Sequence, residues 1–350
     1  MEPLPPPASR GEVVTIADVA GHAGVGAGTV SRVLNDSPKV SAATKARVLA
    51  SIAALDYRPS PLARALSRGR SQTVGVVVPF FTQASAIERL RGVVAAMGGV
   101  PHDLVLFNVE SPGHLDEHFL SLTRRDRADG LLVMSVPPPH DHLAGLTRAG
   151  VPVVLIDASG AGVPSVVVDD VEGGRIATRH LVGLGHRRIA FLGDDPANAF
   201  GFTSSARRQQ GYDEVLREAG MTPDPRLVRY GPHDRRLAAE LAADLLAQPR
   251  RRRPTAIFAS SDMQALGVLE AARQAGLDVP RDLSVVGFDD VELSTYAGLT
   301  TVHQPLFDSG YRGASILLEA LRGAGLPAPG VHELAIHLVE RSTTAECAHG

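Results

Sequence analysis

Cysteine is almost absent: the 350-residue chain holds one, Cys347. A single thiol excludes an intrachain disulfide framework and a cysteine-rich zinc site, and it fits a reducing cytoplasm. Long apolar runs are missing as well, and none approaches the roughly 20 residues that span a bilayer. There is no G-x-x-x-x-G-K-[ST] run to cradle a nucleotide phosphate, and no G-x-S-x-G elbow to present a hydrolase serine. No enzyme activity and no cofactor are expected on these grounds. Lysine is scarce too: both lysines, Lys39 and Lys45, fall in the first 70 residues.

What is present begins with an uneven charge. Arg10, Arg32, Lys39, Lys45, Arg47, Arg58, Arg64, Arg68 and Arg70 outnumber the acidic residues before position 71, whereas the remainder is net acidic. A basic head on an acidic body is expected where the head alone meets phosphate backbone. The Pro-rich start, residues 1–12, reads as a disordered lead and not as a signal peptide.

Three short helices are predicted next. Thr15 is placed to cap Ile16–Ala23, with Ile16, Val19, Ala20 and Ala23 on one face. Gly24-Val25 turns the chain into Ala27–Leu34. Ser41 then caps Ala42–Leu55, whose Ala46, Leu49, Ala50 and Ala53 recur at helical spacing. The glycines of "DVAGHAGVGAGTVSRVLN" (18–35) do not make a dinucleotide loop, because the preceding residues are helical and Ser31 stands where the third glycine belongs. Two short helices joined by a tight glycine turn are instead the helix-turn-helix pattern, whose second helix enters the major groove. "YRPSPLARALSRGRSQ" (57–72) follows as a linker, with one short helical piece at Pro61–Leu66.

From Thr73 the texture changes to apolar runs of strand length, such as "TVGVVVP", "GLLVMSV", "RIAFLGD" and "LSVVGFDD". Candidate helices at Glu172–Leu184, Ala206–Ala219, Arg235–Ala247 and Asp262–Ala275 separate many of them. Strands buried on both faces and alternating with helices predict an α/β body, and their number predicts two doubly wound parallel-sheet subdomains with a cleft between. Strand-terminal Asp157, Asp169, Ser260, Ser261, Asp289 and Asp290 are pocket candidates, because ligands bind past the carboxyl ends of such strands.

"TIADVAGHAGVGAGTVSRVLN", "VSAATKARV" and "LDYRPSPLARAL" resemble the head of the LacI/GalR family of bacterial transcription repressors. "HLVGLGHRRIAFLG", "RRQQGYDEVL", "SSDMQALGVLEAARQAGLDVPRDLSVVGFDD", "LTTVHQP" and "LVERST" extend the resemblance collinearly over about residues 13–344. It implies a helix-turn-helix head (13–58), a hinge (59–71) and a periplasmic-binding-protein-like body (72–344), with residues 345–350 as a tail. The first subdomain is expected at about 72–169 plus 306–329, and the second at about 170–304 plus 330–344.

The resemblance further implies that Ala27, Gly28 and Arg32 face bases, that Thr29, Ser31 and Asn35 serve phosphates, and that Thr15 joins the DNA contacts. Arg32 is chemically apt, because a guanidinium pairs with guanine O6 and N7 together. Gly26 replaces the family's usual capping serine, and Gly28 offers no side chain at a usual reading position. In the hinge, Leu66 matches a leucine that wedges between base pairs, and Ala63 the small residue beside it.

An effector cleft is implied at Arg208, Asp289, Gln304, Asp157, Ser261 and Asp262, with Phe80 and Phe81 placed to stack on a flat ligand. Ser261 stands where the family often has asparagine. The implied partners are a pseudo-palindromic double-stranded operator, a small effector of carbohydrate type, and a second copy of the chain in a homodimer. No membrane partner is expected. The alternative is a periplasmic-type sugar-binding protein without DNA function.

Three further motifs have plain readings. His114 and His118 have metal-pair spacing but no evident third ligand, so no metal is expected. His140–His142 reads as a solvated loop. The run Arg250–Arg253, between two prolines, reads as a solvated helix end, with a second anion-binding patch as the alternative.

Overall fold

The computed structural model describes residues 14–57, 71–122, 127–160, 162–325 and 328–348. It divides into a head, up to Gln72, and a body that begins at Thr73. Residues 59–70 of the hinge expectation, including Ala63 and Leu66, and the expected lead (1–12) fall outside the described residues.

In the head, α1 (Ile16–Ala23), α2 (Ala27–Leu34) and α3 (Ala42–Ala54) enclose Val19, Ala20, Ala23, Val30, Val33, Val48 and Tyr57. The Asp18 carboxylate accepts hydrogen bonds from the Thr15 N–H and hydroxyl, both at 2.7 Å, which ties down the start of α1. Gly24 closes α1 in the left-handed region at φ 62°, where a side chain would be strained. The Ser41 hydroxyl accepts from the Thr44 N–H at 3.3 Å and starts α3. One expectation is corrected here: α3 turns Val48, Ser51, Ile52 and Leu55 inward, whereas Ala46, Leu49, Ala50 and Ala53 are exposed. Both sets have helical spacing, and the bulkier one fills the core.

The body starts with β1 (Thr73–Pro79), α4 (Ala84–Ala96), β2 (Asp103–Val109), α5 (Pro112–Leu122) and β3 (Gly130–Met134). Next come α6 (His140–Ala149), β4 (Val153–Ile156) and β5 (Pro164–Val167). The chain then crosses to α7 (Asp170–Gly183), β6 (Ile189–Gly193), α8 (Ser204–Glu218), β7 (Val228–Tyr230) and α9 (Arg235–Leu246). There follow β8 (Ala256–Ala259), α10 (Asp262–Gln274), β9 (Ser284–Asp289), α11 (Glu292–Tyr296) and β10 (Thr300–His303). It returns through α12 (Leu306–Glu319) and β11 (Gly330–Glu333), then crosses again to β12 (His337–Val339).

Two six-stranded sheets result, ordered β11-β5-β4-β3-β1-β2 and β12-β10-β9-β8-β6-β7. Every described pairing is parallel except β12 with β10. The period-2 alternation of the strands divides their side chains between two cores. On β1, Val74, Val76 and Val78 pack on the α4–α12 side, while Val77 joins Leu131, Val133 and Phe119 on the other. The second sheet divides likewise, Leu192 and Ile257 facing one layer and Phe191 and Phe258 the other.

The expected subdomain limits need one change. Gly330–Glu333 pairs with β5 in the first sheet, so only the chain from about His337 belongs with the second. An edge strand with three of its four residues exposed has no apolar run to announce it. The three chain crossings between lobes therefore fall after β5, after β10 and after β11.

Candidate DNA face and effector cavity

On α2, Val30 and Val33 are buried, which leaves Ala27, Gly28, Arg32 and, half-buried, Ser31 and Asn35 along the outer face. Thr29 is half-buried, and Thr15 is exposed with its hydroxyl donated to Asp18. A Cβ added at Gly28 would meet only the Arg32 Nη2, at 3.9 Å, so the surface beside this guanidinium stays open. Lys45 forms an ion pair with Asp36 at the end of the same helix.

In the body, a cavity of about 510 Å³ opens past the carboxyl ends of both sheets. Of the expected effector residues, Phe80, Asp157, Arg208, Asp289 and Gln304 line it. So do Arg89, Ser135, Asp194, Asn198, Phe200, Phe202, Tyr230 and His233, none of which the sequence reading singled out. Phe80 (φ 47°), Ser135 (φ 59°), Asp157 (φ 59°) and Asp289 (φ 117°) all have left-handed backbones, each at the end of a strand. Such conformations cost roughly 1–3 kcal/mol each and persist where the surroundings over-determine them.

Two arginines organise the polar wall. Arg208 donates from Nε to Asp170 Oδ1 at 2.9 Å and from Nη1 to the Ser260 carbonyl at 2.6 Å. Its Nη1 also lies 4.0 Å from Asp289 Oδ1, and its Cζ stands 3.6 Å from the centre of the Phe288 ring. Arg89 reaches Asp157 Oδ1 at 3.1 Å and Gln304 Oε1 at 3.3 Å. Gln304 in turn donates to Asp289, which connects the two lobes through one polar chain. Burial raises the pKa of Asp289, against the opposing pull of Arg208, His233 and Arg89. Burial also raises that of Asp170, with the Arg208 charge opposing it.

Both arginines are set by glycines on the neighbouring helix. A Cβ on Gly174 of α7 would stand 2.0 Å from the Arg208 carbonyl oxygen, and one on Gly211 of α8 would stand 2.0 Å from that of Val171. In the other lobe, a Cβ on Gly310 of α12 would stand 1.9 Å from the Arg89 oxygen, and one on Gly92 of α4 would stand 2.0 Å from that of Phe307. Each arginine precedes a crossing glycine by three residues, in "RQQG" (208–211) and "RLRG" (89–92). That shared pattern is the signal by which Arg89 could have been found.

The opposite wall is aromatic. Phe80 meets Phe200 edge-on with centroids 5.3 Å apart, and Phe200 stacks on Phe202 at 5.2 Å. Although Phe200 and Phe202 follow β6, they pack against the core of the first lobe. Gln83 donates to the His233 carbonyl at 3.1 Å and makes a second contact between lobes. His233 Nδ1 lies 3.2 Å from Asp194 Oδ1. Burial opposes the charge of this half-buried ring, but the hydrogen bond and the charge of Asp194, with help from Asp289, outweigh it, and its pKa is raised.

Three expected effector residues are placed elsewhere. Asp262 is fully buried and accepts from the Val291 N–H (2.9 Å), the Ser294 hydroxyl (2.5 Å) and the Thr301 hydroxyl (2.6 Å), so it binds α10 to α11 and β10. Ser261 caps α10, its hydroxyl accepting from the Gln264 N–H at 3.2 Å. Phe81 is exposed and lies outside the lining, because the left-handed turn at Phe80 sends consecutive side chains apart.

The histidine motifs resolve simply. His118 Nε2 lies 3.2 Å from the Asn108 carbonyl. The residues expected as a loop at His140–His142 open helix α6, where His142 lies 3.1 Å from Asp116 Oδ1 and stacks on Phe119. Among the described residues no cluster of three metal-ligating side chains is found, and no helix is long and apolar enough to cross a membrane.

Known proteins bear on both regions. Residues 15–60 match the family described as bacterial regulatory proteins, lacI family, and residues 178–344 match the periplasmic binding protein-like domain. Catabolite control protein A of Priestia megaterium is 34% identical over 304 residues, which cover 85% of this chain and 89% of that protein. The HTH-type transcriptional repressor PurR of Photobacterium profundum is 33% identical over 318 residues, covering 89% and 92%. Among solved structures, the Lac repressor dimer bound to operator and the anti-inducer ONPF matches with a TM-score of 0.77 at 27% identity, covering 95% and 100% of the two chains. The transcriptional regulator CelR–cellobiose complex matches with a TM-score of 0.67 at 32% identity, covering 94% and 99%.

Proposed function

The chain belongs to the LacI family of bacterial regulatory proteins, and we propose that it is a cytoplasmic, homodimeric repressor whose grip on an operator is set by a neutral carbohydrate bound between its two lobes. One observation carries the choice of ligand. Every cationic side chain of the cavity already has a carboxylate partner: Arg89 has Asp157, Arg208 has Asp170 and Asp289, and His233 has Asp194. A phosphate or carboxylate ligand would find no uncompensated charge there. A sugar offers hydroxyls to the carboxylates and an apolar ring face to Phe80, Phe200 and Phe202. The cavity's size suits one or two sugar rings.

At the DNA, Arg32 supplies direct base reading, while Thr15, Ala27, Gly28, Thr29, Ser31 and Asn35 provide close approach and phosphate contacts. Ligand between the lobes stabilises one closure of the cleft. Through the hinge of each copy, that closure sets operator affinity with a coupling of about 1–3 kcal/mol.

A gel shift with the DNA upstream of the chain's own coding sequence, with and without neutral mono- and disaccharides, tests the proposal. A shift that one sugar abolishes or strengthens is expected, and the direction separates release from co-repression. No shift under any condition would return the chain to the binding-protein alternative. Binding by sugar phosphates in preference to their neutral parents would overturn the ligand class.

A further inference from the structure

The run Arg250–Arg253 lies outside the lining of the effector cavity, and the fold gives it neighbours. A crevice of about 40 Å³ lies where β6, β8 and β9 begin, at the end of the second sheet away from the effector cavity. Arg188, Arg250, Arg253 and Arg281 all line it, although the body as a whole is net acidic; Arg281 also lies 3.5 Å from Asp278 Oδ2.

Its construction favours an anion. Arg188 and Arg253 are half-buried, and among the described residues neither is paired with a carboxylate. Arg188 is held in place by its Nε, which donates to the Arg253 carbonyl at 3.1 Å and leaves its terminal nitrogens to another acceptor. Asp282 is the one carboxylate in the described lining, and its Oδ2 already accepts from the Asp278 N–H at 2.9 Å. The floor is rigid: the buried His186 lies 3.0 Å from both the Thr255 and Ser284 hydroxyls. Burial lowers the pKa of His186, so the positive charge comes from the arginines.

The guanidinium groups of Arg188 and Arg253, side by side with no carboxylate among the described residues paired to offset them, repel each other, and an oxyanion relieves that repulsion while matching their planar forks. A water needs about 10–15 Å³ of such space, so the crevice holds about three water-sized groups, close to the oxygens of one tetrahedral oxyanion. We propose that this crevice is a second ligand site, separate from the sugar cavity, that takes a phosphate group.

Cys347, the only cysteine of the chain, also lines the crevice and serves as a built-in reporter. The test is the rate at which N-ethylmaleimide modifies Cys347 in the full chain, with inorganic phosphate, with ribose 5-phosphate, and with chloride at matched ionic strength. Phosphate at about 10 mM is expected to slow modification about 5-fold or more, because a seated anion covers the thiol. Protection by ribose 5-phosphate at lower concentration would assign the site to a phosphate monoester, and equal protection to free phosphate. In Arg253→Gln/Arg281→Gln the protection is expected to vanish, with the unfolding temperature and operator shift unchanged. Should the double variant not fold, the exposed Arg281→Gln alone is expected to weaken the protection. Equal slowing by chloride, or full protection in the variants, would overturn the site. So would protection by a random DNA duplex and by neither phosphate, which would assign the arginines to a nucleic-acid backbone.

Discussion

At the scale of single residues, the same side-chain type serves different ends according to what surrounds it. Asp289 and Asp262 both end or follow buried strands, yet Asp289 lines the cavity while Asp262 is enclosed by three donors. Removing those acceptors leaves a buried N–H and two hydroxyls unsatisfied, so Asp262→Ala is expected to destabilise the chain by about 2–4 kcal/mol in a urea melt. An unchanged midpoint would contradict the structural role. The pair Asp194–His233 makes a different demand. Because Asp194 raises the His233 pKa, Asp194→Asn is expected to lower the ring's titration midpoint, read by NMR. A raised histidine pKa adds stability below its unfolded value, and that stability is lost as pH rises through the folded value. The variant should therefore lose its stability relative to wild type on the acid side and little above. Arg32→Ala is expected to remove about 1–3 kcal/mol of sequence discrimination while leaving weak, salt-sensitive DNA binding. Retained operator preference in a gel shift would refute its base-reading role.

At the scale of elements, the crossings α7–α8 and α4–α12 are what bring arginines into the cavity. Backbone contacts this close tolerate no side chain, so Gly211→Ala must push α8 away from α7. An overpacking cost of about 1–3 kcal/mol is expected in thermal or chemical unfolding, together with weakened sugar binding as Arg208 shifts. A stable Gly211→Ala variant with unchanged affinity would show that the crossing does not position Arg208. The head illustrates how far element boundaries are local. Thr15, Gly24, Gly26 and Ser41 stand at or beside helix ends, and the predicted starts of α1, α2 and α3 coincide with the observed ones. The inward face of α3 was not legible, since alanines at helical spacing look like a core stripe whether buried or exposed.

At the scale of the whole molecule, contacts among the described residues that join the two lobes include Gln83 to the His233 carbonyl, Phe80 to Phe200, Arg89 to Gln304, and the packing of Phe200 and Phe202 on the first-lobe core. A ligand shifts such an equilibrium only by its differential affinity for the closed form. Gln83 sits at the cavity lining and its bond joins the two lobes. Gln83→Ala is expected to weaken sugar binding by about 3–10-fold, the worth of one hydrogen bond, with little change in the unfolding midpoint. Titration calorimetry reads the first quantity and a thermal melt the second. Equal affinity would mean that this bond does not favour the closed cleft.

The sequence alone determined the helices of the head, the buried strands and the class of the body, because those depend on spacing over a few residues. It also pointed to Arg208, Asp157, Asp289 and Gln304, which end strands or carry motifs. Only the tertiary structure decided that Arg89 completes the polar wall, that Phe200 and Phe202 reach across to the other lobe, and that Asp262 is sealed in the core. It alone assigned Gly330–Glu333 to the first sheet and brought Arg188 and Arg281 to the Arg250–Arg253 run around one crevice. These outcomes rest on contacts between residues tens to hundreds of positions apart, such as the 215 between Arg89 and Gln304. Local periodicity carries no record of which distant partner a side chain will meet.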